Sequence, residues 1–139
     1  MSHKQSNKIV IIMDEDLGMG VTANRAAVLM SGLASKYSEV IGEDHCTSDG
    51  ITINGFTKVP VAILSRPKTV DYHSIIEKTK LLSCDYFIFL KRAQGLRSYE
   101  EYSLSISTEE FHNLDIDSIL IYGSTKSINK ITGNFTALR

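Results

Sequence analysis

No apolar run in the sequence approaches the roughly eighteen residues needed to cross a bilayer, which excludes a membrane-spanning helix. The first residues, MSHKQSNK, are polar and lack the apolar centre of an export signal. There are only two cysteines, Cys46 and Cys84, in dissimilar contexts without metal-type spacing, so reduced thiols in the cytoplasm are expected. Charge of one sign is also missing. The net charge of −1 gives no whole-molecule field that would attract nucleic acid or anionic lipid. Internal repeats, linkers and low-complexity segments are absent. What is present is an ordinary globular composition, 42% hydrophobic and 22% charged over 139 residues, enough for one domain with its own core. Residues 1–7 are expected to form a flexible terminus and 8–139 a single α/β domain.

The pattern along the chain alternates. Lys8 to Met13 is a short run rich in Ile and Val that predicts a strand buried on both faces. From Val21 to Tyr37 the spacing becomes helical through Ala23, Ala26, Ala27, Met30 and Ala34. Val28, Leu29 and Leu33 widen the stripe and predict a heavily buried helix. In the next stretch, Asn54-Gly55 between apolar residues predicts a short hairpin. Val59 to Leu64 reads as a strand, with Pro60 marking an edge or an irregular start. A helix over Val70–Leu82 and a buried strand over Asp85–Lys91 follow. Ser98 to Glu101, SYEE, is a capping box for a helix reaching about Ser107. Ser107 and Glu110 suggest a further short turn. A fourth strand spans Ile116–Tyr122. A last helix spans Ser124–Ile131 and is stopped by a left-handed Gly133. This order predicts three layers, with helices on both faces of a largely parallel sheet.

The stretch IVIIMDEDLGMGVTANRAAVLM, Ile9 to Met30, admits three readings. Gly18, Gly20 and Thr22 at a strand-to-helix turn, with Arg25 near it, suit an anion site. However, GMG lacks the third glycine of a dinucleotide fingerprint, and no Gly-Lys-Ser/Thr follows. Asp14 and Asp16 resemble the Asp-x-Asp turn of haloacid-dehalogenase-like phosphotransferases, but Leu17-Gly18 breaks that pattern. The structural reading asks least of the residues: carboxylates opposing a helix dipole and glycines permitting a tight turn.

ILIYGSTKSINKITGNFTALR, at the other end, resembles the closing segment of type II peptidyl-tRNA hydrolases through Gly123, Ile128, Asn129, Lys130, Ile131, Thr132 and Gly133. Asp16, Leu17, Met19, Gly20 and Ala26 match the opening of the same proteins. Over nearly its whole length the chain is also similar to a bacterial domain-of-unknown-function family, number two thousand. The shared features are DEDL, N-x-A-A-V-L, a GED…DG turn, a Y-E-E-Y helix and a YG…K…ITG ending. The resemblance implies a type II peptidyl-tRNA hydrolase-like α/β/α fold with a mixed four-stranded sheet. It does not imply the activity. Gly18, Val21 and Ala23 stand where the hydrolases carry lysines, and EEFHNLDID replaces their Asp-Ala-Gly-Arg-Thr stretch.

These readings lead to one expectation, a pocket where the chain's two ends meet. Its lining would be Gly18, Met19, Gly20, Thr22, Asn24, Arg25, Tyr122, Gly123 and Lys126, and its ligand a small polar or anionic molecule. Asp14 and Asp16 are the only candidates for catalysis, which would be hydrolytic. No metal or cofactor is called for. Nucleic acid and membrane are not expected as partners, and a homodimer is. The rival readings are a homo-oligomeric protein-interaction module and a divergent peptidyl-tRNA hydrolase. Glu43, Asp44, His45, Cys46 and Asp49 read as an acidic surface loop, since sequential residues cannot all converge on one ion. Lys91, Arg92 and Arg97 read as a solvated basic loop, His73 and His112 as solvated helix or turn residues, and Tyr99 and Tyr102 as packing residues.

Overall fold

The computed structural model describes residues 6–139. Among the described residues there are six strands and four α-helices: β1 (Asn7–Met13), α1 (Met19–Lys36), β2 (His45–Cys46), β3 (Thr52–Ile53), β4 (Val61–Ser65), α2 (Tyr72–Leu81), β5 (Asp85–Leu90), α3 (Tyr99–Ser107), β6 (Ile116–Ser124) and α4 (Thr125–Thr132). The main sheet has the order β4-β1-β6-β5. β1 pairs with β4 in parallel, while β6 runs antiparallel to both β1 and β5. The sheet is therefore mixed, with one parallel pair, rather than largely parallel as the alternation of elements suggested. The last strand enters between β1 and β5 from the opposite end.

Val10 and Ile12 of β1 point to one face, where α2 and α4 supply Tyr72, Ile75, Ile76, Ile128 and Ile131. Ile9, Ile11 and Met13 point to the other, where α1 supplies Leu29 and Leu33. All five are fully buried, as a strand covered on both sides requires. α1 is less buried than its apolar content predicts. Among its residues only Arg25, Leu29 and Leu33 are buried, and Val28 is 44% exposed. One helix on a sheet face hides a single i, i+4, i+8 stripe, and the rest of an apolar helix stays at the surface.

The local signals are partly confirmed, and caps that they did not indicate form at Asp71 and Ser124. Asp71 caps α2, its carboxylate accepting from the Ser74 amide at 2.7 Å. Ser98 caps α3 by accepting from the Glu101 amide at 3.1 Å, but Glu101 accepts from the Arg97 amide and not from that of the cap residue. Ser124 caps α4 by accepting from the Ser127 amide. The hairpin turns elsewhere than predicted. β2 pairs with β3 through the turn ending at Gly50 (φ +87°), whereas Gly55, beyond β3, donates its amide to Asp44. Gly133 is right-handed (φ −59°, ψ −24°), so α4 ends without a left-handed cap. Pro60 does precede an edge strand, and the chain's tail lies along that edge, with Leu138 donating to the Ile63 carbonyl. The flexible terminus expected over 1–7 falls mostly on residues 1–5, outside the described residues. Asn7 is already in β1. Among the described residues no helix is long and apolar enough to cross a membrane, and both cysteines are free.

Candidate functional site

β1, β4 and β5 run in the same direction, so their C-terminal ends, followed by Asp14, Arg66 and Lys91, share one end of the sheet. Ligands of open α/β sheets commonly bind beyond such ends. β6 starts there, and its second residue, Asp117, is the one charged residue of a mostly apolar strand and is buried.

Asp117 is met by Arg25. The guanidinium Nη2 lies 2.8 Å from Asp117 Oδ2, and Nε lies 3.2 Å from each carboxylate oxygen. Arg25 is 2% exposed and Asp117 6%. The Phe89 ring lies under the guanidinium, 4.0 Å from Cζ to the ring centroid. Nη1 donates to Asn24 Oδ1 and Nη2 to Gln94 Oε1, both at 3.1 Å. A guanidinium has only donors, so it holds both amides by their oxygens and leaves both NH2 groups free. Four of its five N–H hydrogens are thus engaged, and one on Nη1 remains.

Asn24, Arg25 and Gln94 line a hollow of about 460 Å³ together with Gly20, Val21, Val28, Phe89 and Ala93. Gly20 and Val21 belong to the first turn of α1, which starts after Gly18. That glycine takes φ +88°, and no side chain caps the helix. First-turn amides and the helix dipole therefore add positive potential at the rim. Every polar side chain lining this hollow is a donor.

A second polar cluster stands beside the first. Asp14 Oδ1 accepts from Arg66 Nε and lies 2.7 Å from the Tyr72 hydroxyl, which is also 2.7 Å from the Asp117 carbonyl oxygen. Burial and then the Asp14 carboxylate raise the Tyr72 pKa above its ordinary range. Asp14, Glu15 and Asp16 face a separate hollow of about 230 Å³ with Arg66 and Lys68. Asp14 is thereby held as an ion-pair partner. Asp16 is exposed and makes no hydrogen bond or ion pair among the described residues. No three His, Cys, Asp or Glu residues among those described are grouped to hold a metal.

The expected meeting of the two ends does not form a pocket. Met13 is paired with Ser118, whereas Tyr122 faces Ile9 and Gly123 faces Lys8. Because the two strands are antiparallel, Tyr122 lies four residues, about 13 Å, from the Met13 end. Gly18, Met19, Gly20, Thr22, Asn24 and Arg25 are thus at one end of the sheet, and Tyr122, Gly123 and Lys126 at the other. Met19 is 90% exposed. The Thr22 amide is used within the helix, donating to the Gly18 carbonyl. Tyr122 is buried beside Tyr37 and accepts from Asn7 Nδ2 at 3.1 Å. Gly123 is packed against Cys84, whose Sγ would clash with a Cβ at that position. Lys126 is exposed on α4.

Sequence reasoning missed Asp117, Gln94, Phe89, Arg66 and Tyr72. One of them, Asp117, carried a signal. A carboxylate inside a strand with an apolar face needs a buried partner, and Arg25 stands in register with Leu29 and Leu33 on the buried stripe of its helix. Arg92 was read as part of a solvated loop. It instead ties α3 to the domain through Asp115 (2.7 Å), Glu109 (2.6 Å) and the Ser105 carbonyl.

No curated protein matches the chain. A solved structure of a protein of unknown function from Agrobacterium tumefaciens strain C58 is similar, with a TM-score of 0.82 and 18% identity over 95% of this chain and 97% of that one. At that identity the likeness concerns the fold. Residues 7–139 match the family described as Protein of unknown function (DUF2000), and with nearly the whole sequence covered the chain belongs to that family.

Proposed function

We propose that this domain binds a small, acceptor-bearing and preferably anionic molecule in the hollow between the start of α1 and the end of β5. The supporting observation is the Arg25 fork. It fixes the Asn24 and Gln94 amides with their nitrogens free and leaves one of its own N–H hydrogens over. A carboxylate or carbonyl oxygen complements such an end, and a cation does not. The hollow's polar side chains include no nucleophile and no base, which favours binding over catalysis. The Asp14 and Asp16 carboxylates, on which hydrolysis would depend, face the neighbouring hollow.

We also read the fold as related to that of type II peptidyl-tRNA hydrolases, on the Met19-Gly20 and Lys130–Gly133 segments and the mixed four-stranded sheet. A retained hydrolase would reveal itself by RNA binding that weakens steeply with salt.

The test is an amide-detected NMR titration with acetate, benzoate and inorganic phosphate. Shifts centred on Asn24, Ala93 and Gln94 are expected, and they should disappear in the Asn24→Asp/Gln94→Glu double variant, which places anions where donors stood. Equal titration of the double variant, or shifts only around Lys126, would refute the reading.

A further inference from the structure

The donor-lined hollow does not end at Phe89. Val28, Phe89 and Ala93 also form the wall of a larger hollow of about 550 Å³, bounded by Leu29, Ser31 and Gly32 of α1, by Phe87 to Leu90 of β5, and by Leu96 to Tyr99 and Tyr102, with Arg97 its one charged lining residue. Its surroundings are mainly apolar and aromatic. β5 is the outer strand of the sheet on this side. The opposite outer strand, β4, is covered by the chain's tail, through Leu64 paired with Ala137 and Leu138 bonded to Ile63. Across the larger hollow stands α3, in which no residue is buried, with Tyr99 84% and Leu104 70% exposed. The Tyr99 and Tyr102 rings lie 5.9 Å apart.

From this continuity we infer that the ligand is an amphipathic carboxylic acid. Its carboxylate would be held by Asn24, Gln94 and Arg25, and its apolar body would lie along β5 beneath Tyr99 and Tyr102. The inference rests on the anion-binding reading above and extends it by naming the rest of the molecule. A head-only ligand would leave the aromatic hollow wet and unexplained. A purely apolar ligand would leave the exposed Asn24 and Gln94 amides to water and make no use of the donors that Arg25 orients. Each hollow is within the roughly 300–1,000 Å³ range of small-molecule sites, which accommodates a body of several methylenes or an aromatic ring.

The experiment is a calorimetric or NMR titration of the full chain with acetate, hexanoate, decanoate and decanol. Affinity is expected to rise from acetate to decanoate by roughly two- to fourfold per methylene. Decanol should bind at least about tenfold more weakly than decanoate, since it lacks the charge that the donors meet. Ser31→Trp, at an exposed position of the larger hollow only, should remove the chain-length gain and leave the acetate shifts at Asn24 and Gln94. Tyr99→Ala should act in the same direction, and being exposed it does not threaten folding. If acetate and decanoate bind equally, the apolar body is wrong and the anion reading stands. If decanol equals decanoate and both ignore Asn24→Asp/Gln94→Glu, the anion reading fails, and this inference with it. If the fatty acids do not bind and the protein is instead a dimer that Ser31→Trp makes monomeric in sedimentation, the groove is a self-interface and the proposal is overturned.

Discussion

Two ion pairs mark the two ends of the sheet. Arg25 and Asp117 meet at 2.8 Å with side chains 3% and 8% exposed, whereas Lys36 and Asp85 meet at 2.9 Å with side chains 60% and 24% exposed. The distances are nearly the same, and the consequences differ because of what surrounds each pair. The first is out of water, stacked on Phe89 and surrounded by the amides it orients, so loss of either partner strands a buried charge. The second is screened by solvent and contributes little. Its neighbour Tyr37 donates to Asp85 at 2.6 Å, making a modest surface network. Burial would raise the Asp85 pKa, but the hydrogen bonds from Tyr37 and Lys36 outweigh it and hold it below the usual value. The Arg25 end is built around a hollow.

The strongest test of this contrast is to break the buried pair. Asp117→Ala should lower unfolding free energy in urea by about 3–5 kcal/mol, while Arg25→Met with Asp117→Leu, which removes both charges, should cost far less. A double variant as unstable as the single one would mean that Arg25 is needed for more than pairing. Next in size comes Gly123→Ala at the opposite end. Its methyl would overlap Cys84 Sγ, and a loss of about 1–3 kcal/mol is expected, partly recovered by adding Cys84→Ala. Tyr72→Phe should cost about 1–2 kcal/mol, because the Asp14 carboxylate and the Asp117 carbonyl share its proton.

The smallest effects belong to the exposed pair. Lys36→Ala should change stability by less than about 1 kcal/mol. The pH limbs there have opposite signs. Asp85, lowered in the folded state, contributes stability that is present above its unfolded pKa of 3.8 and lost as pH falls through the folded one. Tyr37 is raised from 10.0 to about 12, chiefly by its hydrogen bond to Asp85. Its contribution is complete below pH 10 and lost as pH rises from there toward 12. Asp85→Asn should flatten the acid limb of a stability–pH curve. Tyr37→Phe should flatten the alkaline limb. Identical curves for the variants and the parent would show that these bonds do not form in solution.

Much of the fold was legible from periodicity. β1, β5 and β6 are short runs rich in Ile and other apolar residues, and such strands need no partner information to be recognised. The cap at Ser98 was readable because capping involves residues three apart. The turns at Gly55 and Gly133 were misread for the complementary reason. Asn-Gly favours a hairpin only when both flanking strands pair, and here the second segment instead meets Gly42 by an amide-to-carbonyl bond to Phe56. Within the candidate site, Asn24, Arg25 and Gly20 were found from the strand-to-helix turn, while Gln94 and Phe89 were not, since nothing local links the end of β5 to α1.

Sequence alone determined which segments become the four strands of the main sheet and the helices between them, and that the turn after β1 presents glycines and a helix start. Those properties depend on spacing over a few residues. Tertiary structure decided that Arg25 is buried against Asp117, 92 positions away, and that Tyr122 and Gly123 belong to the other end. The direction of β6 is responsible: a strand inserted antiparallel to β1 brings its beginning, not its end, beside the β1–α1 turn, and no local pattern of hydrophobicity encodes that choice.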